Sequence, residues 1–370
     1  MVESGVRQII RQFRIEGRPA RIEPLTCGHI NDTYVVVAET DGGIVRYILQ
    51  RINDAVFRDP VSLMENVVRV TEHIRSRMES IDAERAGRQP AVIAARDGAG
   101  CYRDGEGGFW RVYTYIEGAV TYDKVESEEL AHEAARTFGW FQNMLTDLPG
   151  PGLHETIADF HNTPKRLETF ERVARADPCN RARNAKAEIE FVLENATLCD
   201  VLLNAAQAGE IPVRVIHNDA KINNVMLDEN THKGVCVIDL DTVMPGLSVY
   251  DFGDMVRTVV TLADEDERDL SKVAVNMQVF EAIVEGYAGQ TKGFLCSGEK
   301  EHLVVAGKLI TFEQLIRFLG DYLAGDVYYK IGREGHNLDR SRAQMKLVRS
   351  IMENEEAMNA TVERAFRQIE

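Results

Sequence analysis

The sequence predicts an α+β chain in two unequal lobes, a small strand-rich one over residues 1–116 and a large helical one over residues 117–370. Three observations carry this. Runs of β-branched and aromatic residues, bounded by glycine turns, fill the first 116 positions around one strongly periodic helix. After Glu117-Gly118 long periodic stretches with few breakers take over. Within that helical part lies one island of short apolar strands. A chain of 370 residues that is 44% hydrophobic is long and apolar enough for two lobes around a cleft.

Taken in order, residues 7–15 read as a short amphipathic helix. Residues 31–38 and 44–50 are strands joined by Glu39-Thr40-Asp41-Gly42-Gly43, a hairpin signal. Asp59-Pro60 opens a helix with Leu63, Val67, Val70 and Ile74 on one face. Residues 91–94 and 109–116 are further strands. In the second lobe 128–145, 163–175 and 185–208 are helical, with Ser127 placed to cap the first. The island comprises 213–216, 225–227 and 235–238, and helices dominate again from Val249.

A formal net charge of -16 argues against nucleic-acid binding, which wants clustered Lys and Arg. It leaves a nucleotide substrate open, and an acidic surface serves either solubility or a cationic substrate. The six cysteines form no C-x-x-C pair and no zinc-ligand spacing, which fits a reduced, cytoplasmic setting. Cys236, inside an apolar run, reads as a buried small hydrophobe. The N-terminus lacks the apolar stretch of a signal peptide, and no stretch approaches the roughly 18 apolar residues of a membrane span.

The chemistry concentrates in the island. A strand ends in His217-Asn218-Asp219, Asn224 follows five residues later, and the strand 235–238 finishes at Asp239. Phosphoryl transfer explains these residue types. ATP phosphates carry charge that Mg²⁺ neutralises, and magnesium takes oxygen ligands, so Asn224 and Asp239 suit it, with Asp241 as a second carboxylate. The attacking hydroxyl needs a proton acceptor on a rigid loop, which Asp219 provides. The spacing matches the H-R-D-x-x-x-x-N loop of kinases, and two lobes with a catalytic β island make a protein-kinase-like layout. His217 reads as a brace for the turn. The literal Asp251-Phe252-Gly253 opens an amphipathic helix, so Asp251 reads as a helix cap or a brace rather than a metal ligand.

The nucleotide side is plainer. Gly28 forms a single-glycine turn before a strand, and there is neither G-x-G-x-x-G nor a P-loop. The strand at 46–51 should carry a phosphate-binding cation but has no lysine, leaving Gln50 and Arg51 as candidates. Thr114 and Ile116, at the end of the last strand, would offer backbone groups to adenine. Glu313, Arg317 and Asp321 are spaced as an exposed i, i+4, i+8 salt-bridge ladder.

Gly28-His29-Ile30-Asn31, Tyr47-Ile48-Leu49-Gln50, His217-Asn218-Asp219, the run from Ile238 to Gly246, Asp251-Phe252-Gly253-Asp254 and the run from Arg317 to Tyr328 together resemble bacterial N-acetylhexosamine 1-kinases, within the aminoglycoside phosphotransferase and choline kinase-like family. The resemblance spans nearly the whole chain. It implies transfer of the ATP γ-phosphate to the anomeric hydroxyl of N-acetylglucosamine or N-acetylgalactosamine with Mg²⁺. It implies Asp219 as base beside the sugar, Asn224 and Asp239 on the metal, and His29, Arg317 and Tyr328 facing the sugar. The catalytic core alone is shared with choline, homoserine and aminoglycoside kinases. Those substrates, and a non-catalytic nucleotide-binding module, are the alternative readings.

Overall fold

The computed structural model describes residues 2–25 and 30–368. Its N-terminal part contains α1 (Val2–Ile10), β1 (Arg18–Leu25), β2 (Asp32–Thr40), β3 (Gly43–Ile52), α2 (Pro60–Glu79), α3 (Ala83–Gly87), β4 (Tyr102–Arg103) and β5 (Phe109–Thr114). The strands form one antiparallel sheet in the order β1-β2-β3-β5-β4. Alternation puts Val36, Ala38, Tyr47, Leu49, Trp110 and Val112 on one face, where they bury Ile10 and Phe13 in a small separate core.

The hairpin falls where the glycines announce it, with Thr40 opposite Gly43. Strand β1 escapes a reading of pattern because it carries Pro19 and Pro24 and is mostly exposed, as an edge strand can be. Residues 91–94 make one bridge, Val92 to Tyr113, rather than a strand.

Helix α2 begins as its sequence dictates. Asp59 accepts the Ser62 N–H at 3.2 Å, and Pro60 occupies the first turn. Its face of Leu63, Val67, Val70 and Ile74 is buried, in the large core shared with the C-terminal helices.

The C-terminal part follows with β6 (Ala119–Val120), α4 (Glu128–Met144), α5 (Thr163–Ala176), α6 (Lys186–Glu194), α7 (Val201–Gln207), β7 (Val213–Ile216), β8 (Val225–Asp228), β9 (Gly234–Val237) and β10 (Met244–Leu247). Helices α8 (Ser248–Val259), α9 (Met277–Thr291), α10 (Ser297–Glu301), α11 (Leu303–Ala324) and α12 (His336–Gln368) complete it. The expected single helix over 185–208 is broken at Asn195, whose amide bonds back to the Phe191 carbonyl at 2.8 Å. The strand island is two ribbons. β8 pairs with β9 and β6, whereas β7 pairs with β10, a Met-Pro-Gly-Leu segment that does not read as a strand. Among the described residues no helix is long and apolar enough to cross a membrane.

Candidate active site

Strand β7 delivers the chain into a reversal at His217 and Asn218, the latter at φ 66°. Asparagine is among the few residues that tolerate this left-handed conformation. The turn is held from several directions. Asp251 of α8 accepts the backbone N–H of His217 at 2.9 Å and of Asn218 at 2.7 Å, and the Gln142 amide at 2.8 Å. His217 donates from Nε2 to the Ile238 carbonyl at 2.9 Å, while its Nδ1 meets the Asp219 N–H at 3.3 Å. The Asn218 amide donates to the Thr242 carbonyl at 3.0 Å. His217 is thus a buried brace. Asp251 is no cap, because α8 starts at Ser248, with Asp251 inside its first turn.

Asp219, the next residue, is half-buried with Lys221 Nζ 2.9 Å from its carboxylate. Burial opposes its ionisation, but the charge and hydrogen bond of Lys221, with the more distant charge of Arg257, outweigh this and hold the carboxyl below its ordinary range. Asn224 donates its amide to the Asp219 carbonyl at 2.8 Å and carboxylate at 3.2 Å. Ile238 donates its N–H to the Asn224 carbonyl at 2.9 Å, which sets Asp239 beside this loop.

Asp239 itself sits at φ 59°. Its carboxylate is walled by protein but open to solvent on the cleft side, and has no hydrogen-bond or ion-pair partner among the described residues. Desolvation, then repulsion from Asp241 and Asp219, pushes it up to about 6. The side-chain oxygen of Asn224 is likewise unclaimed among the described residues. The free Asp239 carboxylate and Asn224 amide oxygen, with Asp219 and Asp241 nearby, fit a divalent cation of the magnesium type.

Asp241 is not open in this way. Arg111 of β5 grips both of its oxygens, through Nη1 to Oδ1 and through Nη2 to Oδ2 at 2.9 Å, and Asn31 donates to Oδ2 at 2.8 Å. Gln50 lies on this side of the small sheet and accepts Arg111 Nε–H at 2.9 Å. Arg51 turns the opposite way, toward Gly108 and Asp104.

Gly28 and His29 lie outside the described residues. At the end of β5, Thr114 N–H is engaged by the Ala91 carbonyl at 3.0 Å, whereas the N–H and carbonyl of Ile116 have no partner among the described residues. The Ile116 side chain joins Met226 and Ile238 in an apolar cluster beside Asn224 and Asp239. A flat apolar ring with one hydrogen-bonding edge would match that combination.

Beside the turn at 217–219, His161 connects the Asn218 carbonyl (3.2 Å) to Glu313 of α11 (3.2 Å). The expected exposed ladder does not form. Glu313 is buried and accepts from Thr163 at 2.7 Å, with Arg166 at 3.4 Å. Asp321 is buried too, and accepts the N–H groups of Val327, Tyr328 and Tyr329 at 2.9, 2.8 and 3.0 Å. Arg317 therefore forms no ion pair among the described residues, although its charge still acts on Glu313. It donates to Gln314 at 3.0 Å and lies 5.7 Å from the Tyr329 ring centre. Tyr328 is 67% exposed and packs edge-on against Tyr329.

The structure thus brings Asp219, Asn224 and Asp239 together, with Gln50 beside them through Arg111 and Ile116 through Ile238, while Arg317 lies beyond Glu313 and His161. It adds Arg111, Lys221, Asn31 and Met226, which the sequence did not single out. Arg111 was discoverable, since pairing the strands at 44–50 and 109–116 puts it opposite Gln50.

Solved structures of the same architecture exist at low identity. An aminoglycoside phosphotransferase from Alicyclobacillus acidocaldarius superposes with a TM-score of 0.58 at 12% identity, covering 98% of this chain and 96% of that one. A choline/ethanolamine kinase family protein from Mesorhizobium loti gives 0.52 at 15% identity over 100% of both chains. Spectinomycin phosphotransferase, solved with ADP and spectinomycin, gives 0.53 at 12% identity, covering 92% and 94%. The fold is therefore the protein-kinase-like one of aminoglycoside phosphotransferases. A family model described as the phosphotransferase enzyme family matches residues 21–279, well over half of the sequence, and the chain belongs to that family.

Proposed function

We propose that this phosphotransferase is an ATP-dependent sugar kinase that phosphorylates the anomeric hydroxyl of N-acetylglucosamine or N-acetylgalactosamine. The observation that carries the kinase reading is the meeting of Asp219, Asn224 and Asp239 at one cleft. Residues 1–116 would form the nucleotide lobe, and residues 117–370 the catalytic and acceptor lobe. Adenine would rest on Ile116, Met226 and Ile238, with the amide of Ile116 at its edge. Asp239 and the Asn224 amide oxygen would hold Mg²⁺, which supplies charge neutralisation for the phosphates. Gln50 and the turn at Gly28 would border the phosphates.

Asp219 is the proton acceptor. Its carboxylate takes the proton of the acceptor hydroxyl as that oxygen bonds to the γ-phosphorus. The bond from phosphorus to the β–γ bridging oxygen breaks, and ADP leaves. Lys221 keeps Asp219 ionised, which a base requires, and the braces on His217 and Asn218 fix its aim.

The sugar class rests on the sequence resemblance along 238–246 and 317–328. Arg317, a half-buried cation that forms no ion pair among the described residues, supports a neutral hydroxylated acceptor over a cationic aminoglycoside or choline. Tyr328 and His29 would flank it. The test is to incubate the enzyme with MgATP and either N-acetylglucosamine or its methyl glycoside and locate phosphate by phosphorus-coupled NMR. A 1-phosphate from the free sugar alone is expected. Phosphate at the 6-oxygen, or turnover of aminoglycosides with inert sugars, would refute the reading.

A further inference from the structure

Strand β3 carries Arg46 and Arg51, but Arg46 pairs with Glu117 and Arg51 turns toward Asp104, and another guanidinium stands one strand over. Arg111 of β5 lies directly opposite Gln50 of β3. Gln50 holds Arg111 Nε–H on its side-chain oxygen and donates its own amide to Thr33 at 3.0 Å. The fork of Arg111 then reaches across to the C-terminal part and closes on both oxygens of Asp241. Asn31 adds a third donor to that carboxylate. The two side chains are 1% and 3% exposed. A bidentate pair this dry is fixed by geometry as well as charge. Two residues earlier on the same turn, Asp239 has its carboxylate open to the cleft and unpartnered among the described residues.

We infer that Arg111 is a positioning residue that withholds Asp241 from the metal and keeps it as the counter-ion of the small sheet, so that the metal–nucleotide centre has a single protein carboxylate, Asp239, beside the Asn224 amide. The inference rests on reading the cleft as a metal–nucleotide site. Its physical basis is competition. A metal claiming Asp241 must strip away Arg111 and leave a buried guanidinium with no carboxylate, only Gln50, the Met64 sulfur and the Tyr113 ring, whereas Asp239 needs no such exchange. Arg111 acts through Asp241 and does not touch the phosphates.

The experiment measures binding of Mn²⁺–ADP to the full chain by electron paramagnetic resonance, which needs no acceptor. The double variant Arg111→Met/Asp241→Asn should bind within about threefold of the unaltered protein, since Asp239 and Asn224 remain. It should also melt above the Arg111→Met single variant, in which Asp241 is stranded as a buried charge. A loss beyond about tenfold in the double variant would make Asp241 a ligand and overturn the inference. Should the double variant not fold, Arg111→Lys keeps the charge but loses the fork. Affinity equal to or above that of the unaltered protein is then expected, a gain marking a released Asp241, and a loss beyond about tenfold, which would put Arg111 itself on the nucleotide, would be the contrary result. No binding by the unaltered protein would remove the nucleotide reading and this inference with it. Binding by it, lost in the double variant, would remove the inference alone.

Discussion

Asp251 is a buried carboxylate that holds backbone. It accepts three N–H donors, two of them from the backbone that leads into Asp219. Burial pushes its carboxyl up, against the pull of His217 and those donors. Asp251→Asn presents an amide N–H₂ where an acceptor is needed, so it should cost about 1–3 kcal/mol and lower kcat with it. Denaturant midpoints and turnover on one preparation check this, and unchanged kcat would show that the loop aims itself. Glu313 makes a second case. Burial alone would raise its carboxyl, but His161, Arg166 and Arg317 bring it from 4.5 down to about 2. A depressed folded-state value means stability present above pH 4.5 and lost as pH falls through about 2. At neutral pH that amounts to about 3 kcal/mol as an upper figure. The stability gap between the unaltered protein and Glu313→Gln should therefore shrink steadily on acidification below pH 4.5. A gap independent of pH would remove the ionic account.

Among the elements, α8 gives the Asp-Phe-Gly string a meaning unrelated to metal. Asp251 braces the loop, Phe252 is fully buried, and Gly253 lets α8 press against α11. A Cβ at Gly253 would lie 2.6 Å from the Ala306 carbonyl oxygen. From the other side, one at Gly307 would lie 2.7 Å from Val256 Cγ1. The offending atom at Gly253 is backbone, so a helix must move. Gly253→Ala should destabilise by about 1–3 kcal/mol, read from thermal melts. It should also slow turnover, because the shift displaces Asp251. A fully stable Gly253→Ala variant would mean that the crossing has slack. The helical period of α2 and its Asp59-Pro60 start were plain in the sequence, as was the Ser127 cap of α4, which accepts the Leu130 N–H at 3.2 Å. Strand β10 was not, because Pro245 and Gly246 argue against a strand until β7 is there to pair with them.

At the scale of the molecule, three apolar clusters divide the work. One lies under the small sheet, one fills the helical part and includes α2, and a small one lies between them at Ile116, Val235 and Cys236. A nucleotide seated on that last cluster would touch both parts and stabilise the chain as a whole. MgADP at about 100 times its dissociation constant should add about 2.7 kcal/mol, visible as a higher melting temperature. Asp219→Asn should keep that shift while losing turnover, since on the proposed reading it removes the proton acceptor and leaves the nucleotide contacts. Loss of the shift in that variant would make Asp219 part of the nucleotide site instead.

The sequence by itself determined what is local along the chain. The α+β division, the hairpin, the capped helices and the spacing of Asp219, Asn224 and Asp239 are set by period, turn chemistry and neighbours within a few residues. These features reappear in the structure within a residue or two, and the three oxygen-bearing side chains stand together. Only the tertiary structure decided which charged groups face one another. Arg111 and Asp241 are separated by 130 positions, and nothing along the chain relates them. The ladder on α11 failed for the same reason. Its spacing was right for mutual pairs, but burial against α5 and the loop after Gly325 offered Glu313 and Asp321 better donors. Spacing along a helix says which side chains share a face, whereas only packing says what that face meets, and a buried charge goes to whichever partner packing brings within hydrogen-bond reach.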